Sequence, residues 1–127
     1  MDRQLNPALA ALAFGLLTAP PAAASGDPAQ GQAVFATECA ACHSTTRNGP
    51  AVLGPTLFGI SGRPAGTVRG YTYSAAMRAA GFNWTDERLQ SFLPAPGSLV
   101  PGTKMNYGGL KNSFQLDDLV SYLNTLK

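Results

Sequence analysis

The stretch Cys39-Ala40-Ala41-Cys42-His43 contains both cysteines and the only histidine of this 127-residue chain. A C-x-x-C-H pattern is typical of the covalent attachment of a c-type haem. The two thiols can bond to the two vinyl groups of one porphyrin, and the imidazole of the next residue can then coordinate the iron. The sequence therefore predicts one covalently bound haem c, attached through Cys39 and Cys42, with His43 as an axial ligand.

Three other interpretations of this stretch are weaker. A structural zinc site requires four ligands, usually from two cysteine pairs, and the chain has no second pair. A thioredoxin-like redox motif needs no following histidine and lies in a chain of alternating strands and helices. A disulfide between Cys39 and Cys42 would close a very tight loop and leave His43 unexplained.

Residues 1–24 are predicted to be a signal peptide. No charged residue occurs from Pro7 to Ala24, and the segment ends in three alanines, which suit signal-peptidase cleavage. Two prolines just before these alanines shorten the apolar run to about 13 residues, whereas a membrane-spanning helix needs about 20. Cleavage near Ala24 is therefore favoured over a retained anchor. Because bacteria attach haem c outside the inner membrane, we expect the mature protein in the periplasm.

Residues 25–127 are predicted to form one domain with a modest core, which gains much of its apolar interior from the porphyrin. The whole chain has nine basic and seven acidic residues, and Arg3 and Asp2 lie in the leader, so the domain keeps eight basic and six acidic residues. This small excess argues against nucleic acid as a partner. Nothing in the sequence indicates an oligomerisation surface, so a monomer is expected.

Patterning predicts an all-α domain of three to five helices. Asp27-Pro28 is a helix start that leads into the haem motif, and Thr85 is the N-cap of a helix that Pro94 and Pro96 stop. A short helix is predicted from Tyr73 to Ala80. The last helix should begin near Asn112–Ser113 and carry an apolar face of Leu116, Leu119, Val120, Leu123 and Leu126.

Two long loops rich in glycine and proline separate these helices, at residues 44–70 and from Pro94 to Asn112. Such long loops are unusual in so small a domain unless they wrap a ligand, and a porphyrin has the right size. The second loop contains Met105, a thioether that can serve as the sixth ligand of the iron. Met77 is the alternative, but it lies in a predicted helix, where core filling is the simpler role.

The mature chain resembles the class I cytochromes c, and specifically the small soluble bacterial members closest to mitochondrial cytochrome c. The resemblance is collinear from Gly26 to Leu126. Beyond the haem motif it includes Gly31, Phe35, Gly54-Pro55-Thr56-Leu57, Gly62-Arg63, Gly70-Tyr71-Thr72-Tyr73-Ser74, Trp84, Pro101 to Met105, Gly109-Leu110-Lys111, Asp118-Leu119 and Tyr122-Leu123. It implies the class I fold, all-α with the haem in a crevice and one edge at the solvent.

The resemblance also implies roles for individual residues. Met105 would be the axial ligand opposite His43, and the carbonyl of Pro55 would accept a hydrogen bond from the far nitrogen of that imidazole. Further residues would surround the haem propionates: Tyr73, Trp84, Arg63 and Thr103. The alternatives are ordinary core aromatics for Tyr73 and Trp84, and a solvated loop residue for Arg63.

Two departures from the family pattern are visible. Phe92 stands where the family often has a tyrosine whose hydroxyl bonds the sulfur of the axial methionine. Gly97-Ser98 replaces a pair of lysines that the family often places near the haem edge, which leaves Lys104 and Lys111, with Arg47, as the remaining basic side chains. We therefore expect weak electrostatic steering of partners.

The function that the resemblance implies is one-electron transfer, with no enzyme activity. The donor would be a cytochrome bc-type complex or a dehydrogenase, and the acceptor an oxidase, a photosynthetic reaction centre or a periplasmic reductase. Two alternatives remain open at this point: a dedicated haem subunit of one periplasmic oxidoreductase, and a haem enzyme or gas sensor whose sixth ligand is labile.

Overall fold

The computed structural model describes residues 10–18 and 26–127. Residues 10–18 have no regular secondary structure and are exposed throughout. The predicted cleavage site near Ala24 lies outside the described residues, as do most other residues of the predicted leader. No helix in the described part of the chain is both long enough and apolar enough to cross a membrane.

Five helices follow one another along residues 26–127: α1 (Pro28–Glu38), α2 (Ala75–Arg78), α3 (Asp86–Phe92), α4 (Pro96–Leu99) and α5 (Ser113–Leu123). The one isolated β-bridge among the described residues pairs Pro64 with Asn83. The predicted all-α architecture is therefore confirmed, and most of the chain between the helices is loop.

The starts of the three longer helices lie where the polar caps predict them. The side chain of Asp27 accepts a hydrogen bond from the Ala29 amide at 2.8 Å, which satisfies a backbone donor at the start of α1. Thr85 accepts one from the Arg88 amide at the start of α3, at 3.2 Å. Asn112 is the N-cap of α5, with its side-chain oxygen 3.0 Å and 3.1 Å from two amide nitrogens of the first turn.

Two helix boundaries differ from the prediction. α2 is shorter than the predicted span because Ser74 is its N-cap, accepting a hydrogen bond from the Met77 amide at 3.1 Å. α4 lies inside the segment predicted as loop. Pro96, which the sequence analysis treated only as a stop, occupies the first turn of α4, where proline needs no amide donor, and its carbonyl accepts from the Val100 amide at 3.0 Å.

The last apolar residue predicted for α5 lies beyond the helix. α5 ends at Leu123, and Leu126 follows it after a turn in which its amide donates to the Leu123 carbonyl at 3.1 Å. The carbonyl of Leu126 accepts a hydrogen bond from the amide of Gly59 at 2.6 Å. This bond ties the end of the chain to the first long loop.

The two longest helices of the domain, α1 and α5, cross in close contact. Gly31 is buried at the crossing, directly against the backbone carbonyl of Asp118 and the side chain of Tyr122. The ring of Phe35 packs on that of Tyr122 with centroids 5.6 Å apart. One turn earlier, the Asp27 amide donates to the Asp118 carboxylate at 2.8 Å. Because α1 leads directly into the haem motif, this crossing also positions the motif.

We predict that Gly31→Ala destabilises the protein by about 3 kcal/mol or more, because the new methyl group overlaps the Asp118 carbonyl oxygen, a backbone atom that cannot move alone. The measurement is the free energy of unfolding from denaturant titrations followed by circular dichroism. Gly97→Ala is the matched control, since a Cβ at Gly97 meets no atom within 4 Å. Equal stability of the two variants would contradict this account of the crossing.

Candidate functional site

All ten residues that the sequence analysis assigned to the site line one cavity of about 450 Å³. They are Cys39, Cys42, His43, Pro55, Arg63, Tyr73, Trp84, Phe92, Thr103 and Met105. A cavity of this size falls within the usual range for a cofactor or another small ligand. Its remaining lining is mainly aliphatic and comes from α3, α5 and both long loops.

The haem motif forms the end of α1 and the turn that follows it. Cys39 is the C-cap of α1, and its carbonyl accepts hydrogen bonds from the amides of Cys42 and His43, both at 3.0 Å. This tight turn places two thiols and one imidazole on the same wall of the cavity. Both cysteines are free thiols, and each is partly buried.

The surroundings of Cys39 favour its protonated thiol. Burial, with smaller contributions from Glu38 and Cys42, raises the pKa of Cys39 to about 11. In addition, no group of three or more His, Cys, Asp or Glu side chains is arranged to hold a metal ion among residues 10–18 and 26–127.

The His43 ring is held from two sides. Its Nδ1 lies 2.7 Å from the carbonyl oxygen of Pro55, and because a carbonyl only accepts, Nδ1 carries the proton. Nε2 is therefore left with a free lone pair. The backbone of Gly54 lies flat against the ring, where a Cβ would be 2.8 Å from Nδ1 and 3.0 Å from Nε2. This close approach fixes the plane of the imidazole.

Burial also lowers the pKa of His43 below its ordinary value, and the Arg63 cation acts in the same direction, although the hydrogen bond to Pro55 opposes both. The ring is consequently neutral at neutral pH. A neutral imidazole with Nδ1–H bonded to a carbonyl and Nε2 free is the form that ligates a metal. The expected contact between His43 and Pro55 is thus present in the structure.

Arg63 brings a positive charge to the cavity without a carboxylate partner. Its guanidinium donates to the carbonyls of Phe58 at 2.9 Å and Thr56 at 3.2 Å, and no ion pair to it occurs within the described ranges. Burial lowers its pKa, which shows that the charge is partly desolvated. A partly buried cation of this kind is stabilised by an anionic group placed nearby.

Three aromatic side chains form the cavity wall near Arg63. Trp84 and Phe92 are buried and pack edge to face with ring centroids 4.8 Å apart. The Tyr73 hydroxyl accepts a hydrogen bond from the Val68 amide at 3.1 Å, so its own proton remains available for another acceptor. Because residue 92 is a phenylalanine, this position presents no hydroxyl to the cavity.

Met77 and Met105 both line the cavity, but in different settings. Met77 is 8% exposed and belongs to the main core cluster. Met105 is half-buried, lies in the irregular segment between α4 and α5, and donates its amide to the Thr103 hydroxyl at 3.3 Å. The structure therefore gives Met77 the core role that its position in α2 already indicated.

One contact at the cavity mouth was missed by the sequence analysis. The Tyr107 hydroxyl donates to a carboxylate oxygen of Glu38 at 2.8 Å, joining the Met105 segment to the end of α1. On the other side of Met105, the Lys104 ammonium lies 4.6 Å from the centroid of the Tyr71 ring. The sequence offered no signal for the first contact, since its two residues are 69 positions apart.

The donor set of the cavity fits one porphyrin. Two thiols lie beside an oriented neutral imidazole, a thioether belongs to the same lining, and an unpaired guanidinium can meet a carboxylate. Most of the other lining side chains are apolar, as the faces of a porphyrin require. Such an arrangement can hold a redox-active iron, which accepts and releases one electron at a time.

The comparisons with known proteins agree with this assignment. The family model described as cytochrome c matches residues 28–127. The chain is 42% identical over 100 residues to a cytochrome c of Gibberella zeae, which covers 79% of this chain and 94% of that protein. It is also 42% identical over 102 residues to a cytochrome c of Euglena viridis, covering 80% of this chain and 99% of that one.

Bacterial proteins are also similar. Over 106 residues the chain is 42% identical to a protein of Rhodobacter capsulatus named cytochrome c-type cyt cy, a match that covers 84% of this chain but 52% of the longer relative. These matches span nearly all of the domain that surrounds the cavity. The chain belongs to the cytochrome c family, whose members are electron carriers rather than enzymes and bind one covalently attached haem c through a C-x-x-C-H motif such as that of Cys39 and Cys42.

Proposed function

We propose that the protein is a periplasmic one-electron carrier whose haem has His43 and Met105 as axial ligands. The observation that carries the proposal is the convergence of these two side chains, with both thiols, on one apolar cavity. The haem supplies the one-electron chemistry when bound, and the protein supplies its attachment, ligation and shielding from water.

On this proposal Cys39 and Cys42 attach the haem through thioether bonds, and each thiol proton passes to the vinyl carbon next to the new bond. His43 coordinates through Nε2, and the Pro55 carbonyl keeps the proton on Nδ1. The hydrogen bond at 2.7 Å supports this role, because it fixes the tautomer and strengthens the imidazole as a ligand. The turn that begins at Cys39 holds all three donors in the order that attachment needs.

Met105 is proposed as the sixth ligand on the basis of its setting. It is half-buried in a segment without secondary structure, so its thioether can reach into the cavity without disturbing a helix. Met77 has a core role that already accounts for its burial. A thioether favours ferrous iron and raises the reduction potential relative to a second imidazole.

Arg63, Tyr73, Trp84 and Thr103 are proposed to receive the propionates. Arg63 supplies a partly desolvated charge that lacks a carboxylate, and Tyr73 retains an unused hydroxyl proton. The indole of Trp84, a donor only, lines the same cavity. A carboxylate placed in the cavity could therefore accept hydrogen bonds from these side chains.

The proposed periplasmic location depends on the predicted signal peptide. We propose that residues 1–24 are a signal peptide and residues 25–127 the mature cytochrome domain. The apolar side chains of Leu12, Phe14, Leu16 and Leu17 contribute nothing to the core, as each is at least 89% exposed. The mature protein would be a monomer that carries electrons from a cytochrome bc-type complex or a dehydrogenase to an oxidase, a reaction centre or a reductase of a respiratory or photosynthetic chain.

The ligand assignment predicts that Met105→Ala abolishes the weak far-red sulfur-to-iron band of the ferric protein and lets the ferrous protein bind carbon monoxide rapidly. Visible spectra of the purified holoprotein measure both properties. Met77→Leu is the matched control and should keep the band and resist carbon monoxide. If Met77→Leu instead loses the band while Met105→Ala keeps it, the ligands are assigned the wrong way round.

We predict that Phe92→Tyr raises the reduction potential by about 20–40 mV, because a hydroxyl that bonds the axial sulfur withdraws electron density from the iron and favours the ferrous state. Redox titration of the holoprotein measures the shift. Phe82→Tyr serves as the control, since Phe82 packs behind Trp84 and does not line the cavity. An unchanged potential in Phe92→Tyr would show that this position does not act on the ligand.

The three basic side chains left near the haem edge are already engaged. Lys104 lies over Tyr71, Lys111 donates to the Pro94 carbonyl, and Arg47 lies 4.9 Å from the centroid of the Phe58 ring. These partners are neutral groups, so the contacts hold the three side chains in place without cancelling their charges. The expectation of weak steering therefore rests on the small number of basic side chains.

We accordingly predict a weak salt dependence for oxidation of the ferrous protein by ferricyanide. The second-order rate constant should fall less than about threefold when the ionic strength is raised from about 0.01 M to about 0.15 M. The double variant Gly97→Lys/Ser98→Lys should show a clearly steeper fall in stopped-flow measurements. A steep fall in the original protein, equal to that of the double variant, would contradict the prediction.

A further inference from the structure

The segment that carries Met105 is anchored firmly at its two ends. At its start the Thr103 amide donates to the Val100 carbonyl at 3.0 Å, and at its end the Leu110 amide donates to the Leu93 carbonyl at 2.9 Å. Between these anchors, residues 104–109 contain no helix or strand. The Met105 side chain therefore lies in a stretch whose middle needs a separate restraint.

Among the described residues, a single hydrogen bond joins residues 104–109 to a distant part of the protein. It runs from the Tyr107 hydroxyl to the Glu38 carboxylate, at 2.8 Å. The other hydrogen bonds of this stretch are local, such as that from the Tyr107 amide to the Met105 carbonyl at 3.1 Å. The restraint therefore falls two residues beyond Met105.

Glu38 offers a rigid attachment point. It is the last residue of α1, immediately before Cys39, so its backbone is fixed by the helix and by the turn of the haem motif. Both Glu38 and Tyr107 also line the cavity that the ligands share. The Tyr107 ring thus lines the cavity while its hydroxyl reaches the end of the helix that leads into the haem motif.

We infer that the Tyr107–Glu38 hydrogen bond is a latch that keeps residues 104–109 closed and so slows departure of the Met105 sulfur from the iron. Tyr107 and Glu38 are positioning residues in this account, since neither touches the iron. The inference rests on the proposed His43–Met105 ligation. The latch connects the wall of the cavity that contains His43 to the wall that contains Met105.

The chemistry of the pair suits a persistent contact. A hydroxyl that donates to a carboxylate forms a charge-assisted hydrogen bond, which is stronger than a neutral one. A tyrosine hydroxyl is protonated at neutral pH, so it can donate to the carboxylate. Because Glu38 is exposed, water competes for its carboxylate, and the effect on segment opening should be near three- to tenfold.

The test uses ferric holoprotein mixed with saturating cyanide, a condition in which opening of the segment limits the rate of ligand replacement. Loss of the far-red band is followed by stopped flow. Tyr107→Phe and Glu38→Ala should each accelerate the loss by about three- to tenfold, and the double variant should be no faster than the faster single variant. Glu38→Gln should fall between the original rate and that of Glu38→Ala, because its amide oxygen can still accept from Tyr107 but in a weaker, neutral hydrogen bond.

Tyr122→Phe is the matched control. It also removes one tyrosine hydroxyl, but at the crossing of α1 and α5, away from the Met105 segment. Its rate should equal that of the unchanged protein. Amide hydrogen exchange supplies a second readout, in which Tyr107→Phe should speed exchange in residues 104–109 but not in α5.

Two results would overturn the inference, and they differ. If the unchanged protein shows the far-red band and Tyr107→Phe leaves both the cyanide rate and the exchange of residues 104–109 unaltered, the latch is wrong and the ligation stands. If the unchanged protein shows no far-red band, the proposed ligation fails and the latch fails with it.

Discussion

Covalent attachment of the haem at the end of α1 is the constraint on which the rest of this structure depends. A domain of about 100 residues buries a small core by itself, and here the helices enclose a cavity of about 450 Å³ within that core. The long loops contribute much of the lining, including Leu53, Leu57 and Ile60. Attachment at Cys39 and Cys42 places a large apolar group where these loops can pack.

The same attachment links folding to redox function. α1 crosses α5 at Gly31, and this crossing sets the direction in which the haem motif leaves the helix. The imidazole of His43 is then oriented by contacts with Pro55 and Gly54 alone, without a bond to a metal. As the proposed ligand, an imidazole that is already oriented would have little to rearrange when the iron gains or loses an electron, which suits a carrier.

Local sequence rules predicted the parts of this protein that local interactions decide. The caps at Asp27, Thr85 and Asn112 begin helices as expected, because each side chain satisfies amides of its own first turn. α4 was missed because Pro96 can stop a helix or start one, and only the surrounding packing decides. Cys39, Cys42, His43 and Met105 were predicted from the motif and the loop pattern, and the other six site residues through the family resemblance. The contact between Tyr107 and Glu38 depends on the tertiary fold and had no local signature.

The most direct test of this account compares the holoprotein with the same chain produced without haem attachment. Thermal unfolding of both, followed by far-ultraviolet circular dichroism, measures how much of the fold depends on the filled cavity. The account predicts a cooperative transition for the holoprotein and a weak, non-cooperative change with reduced helix content for the chain without haem. A cooperative transition at the same midpoint in both would contradict the central claim.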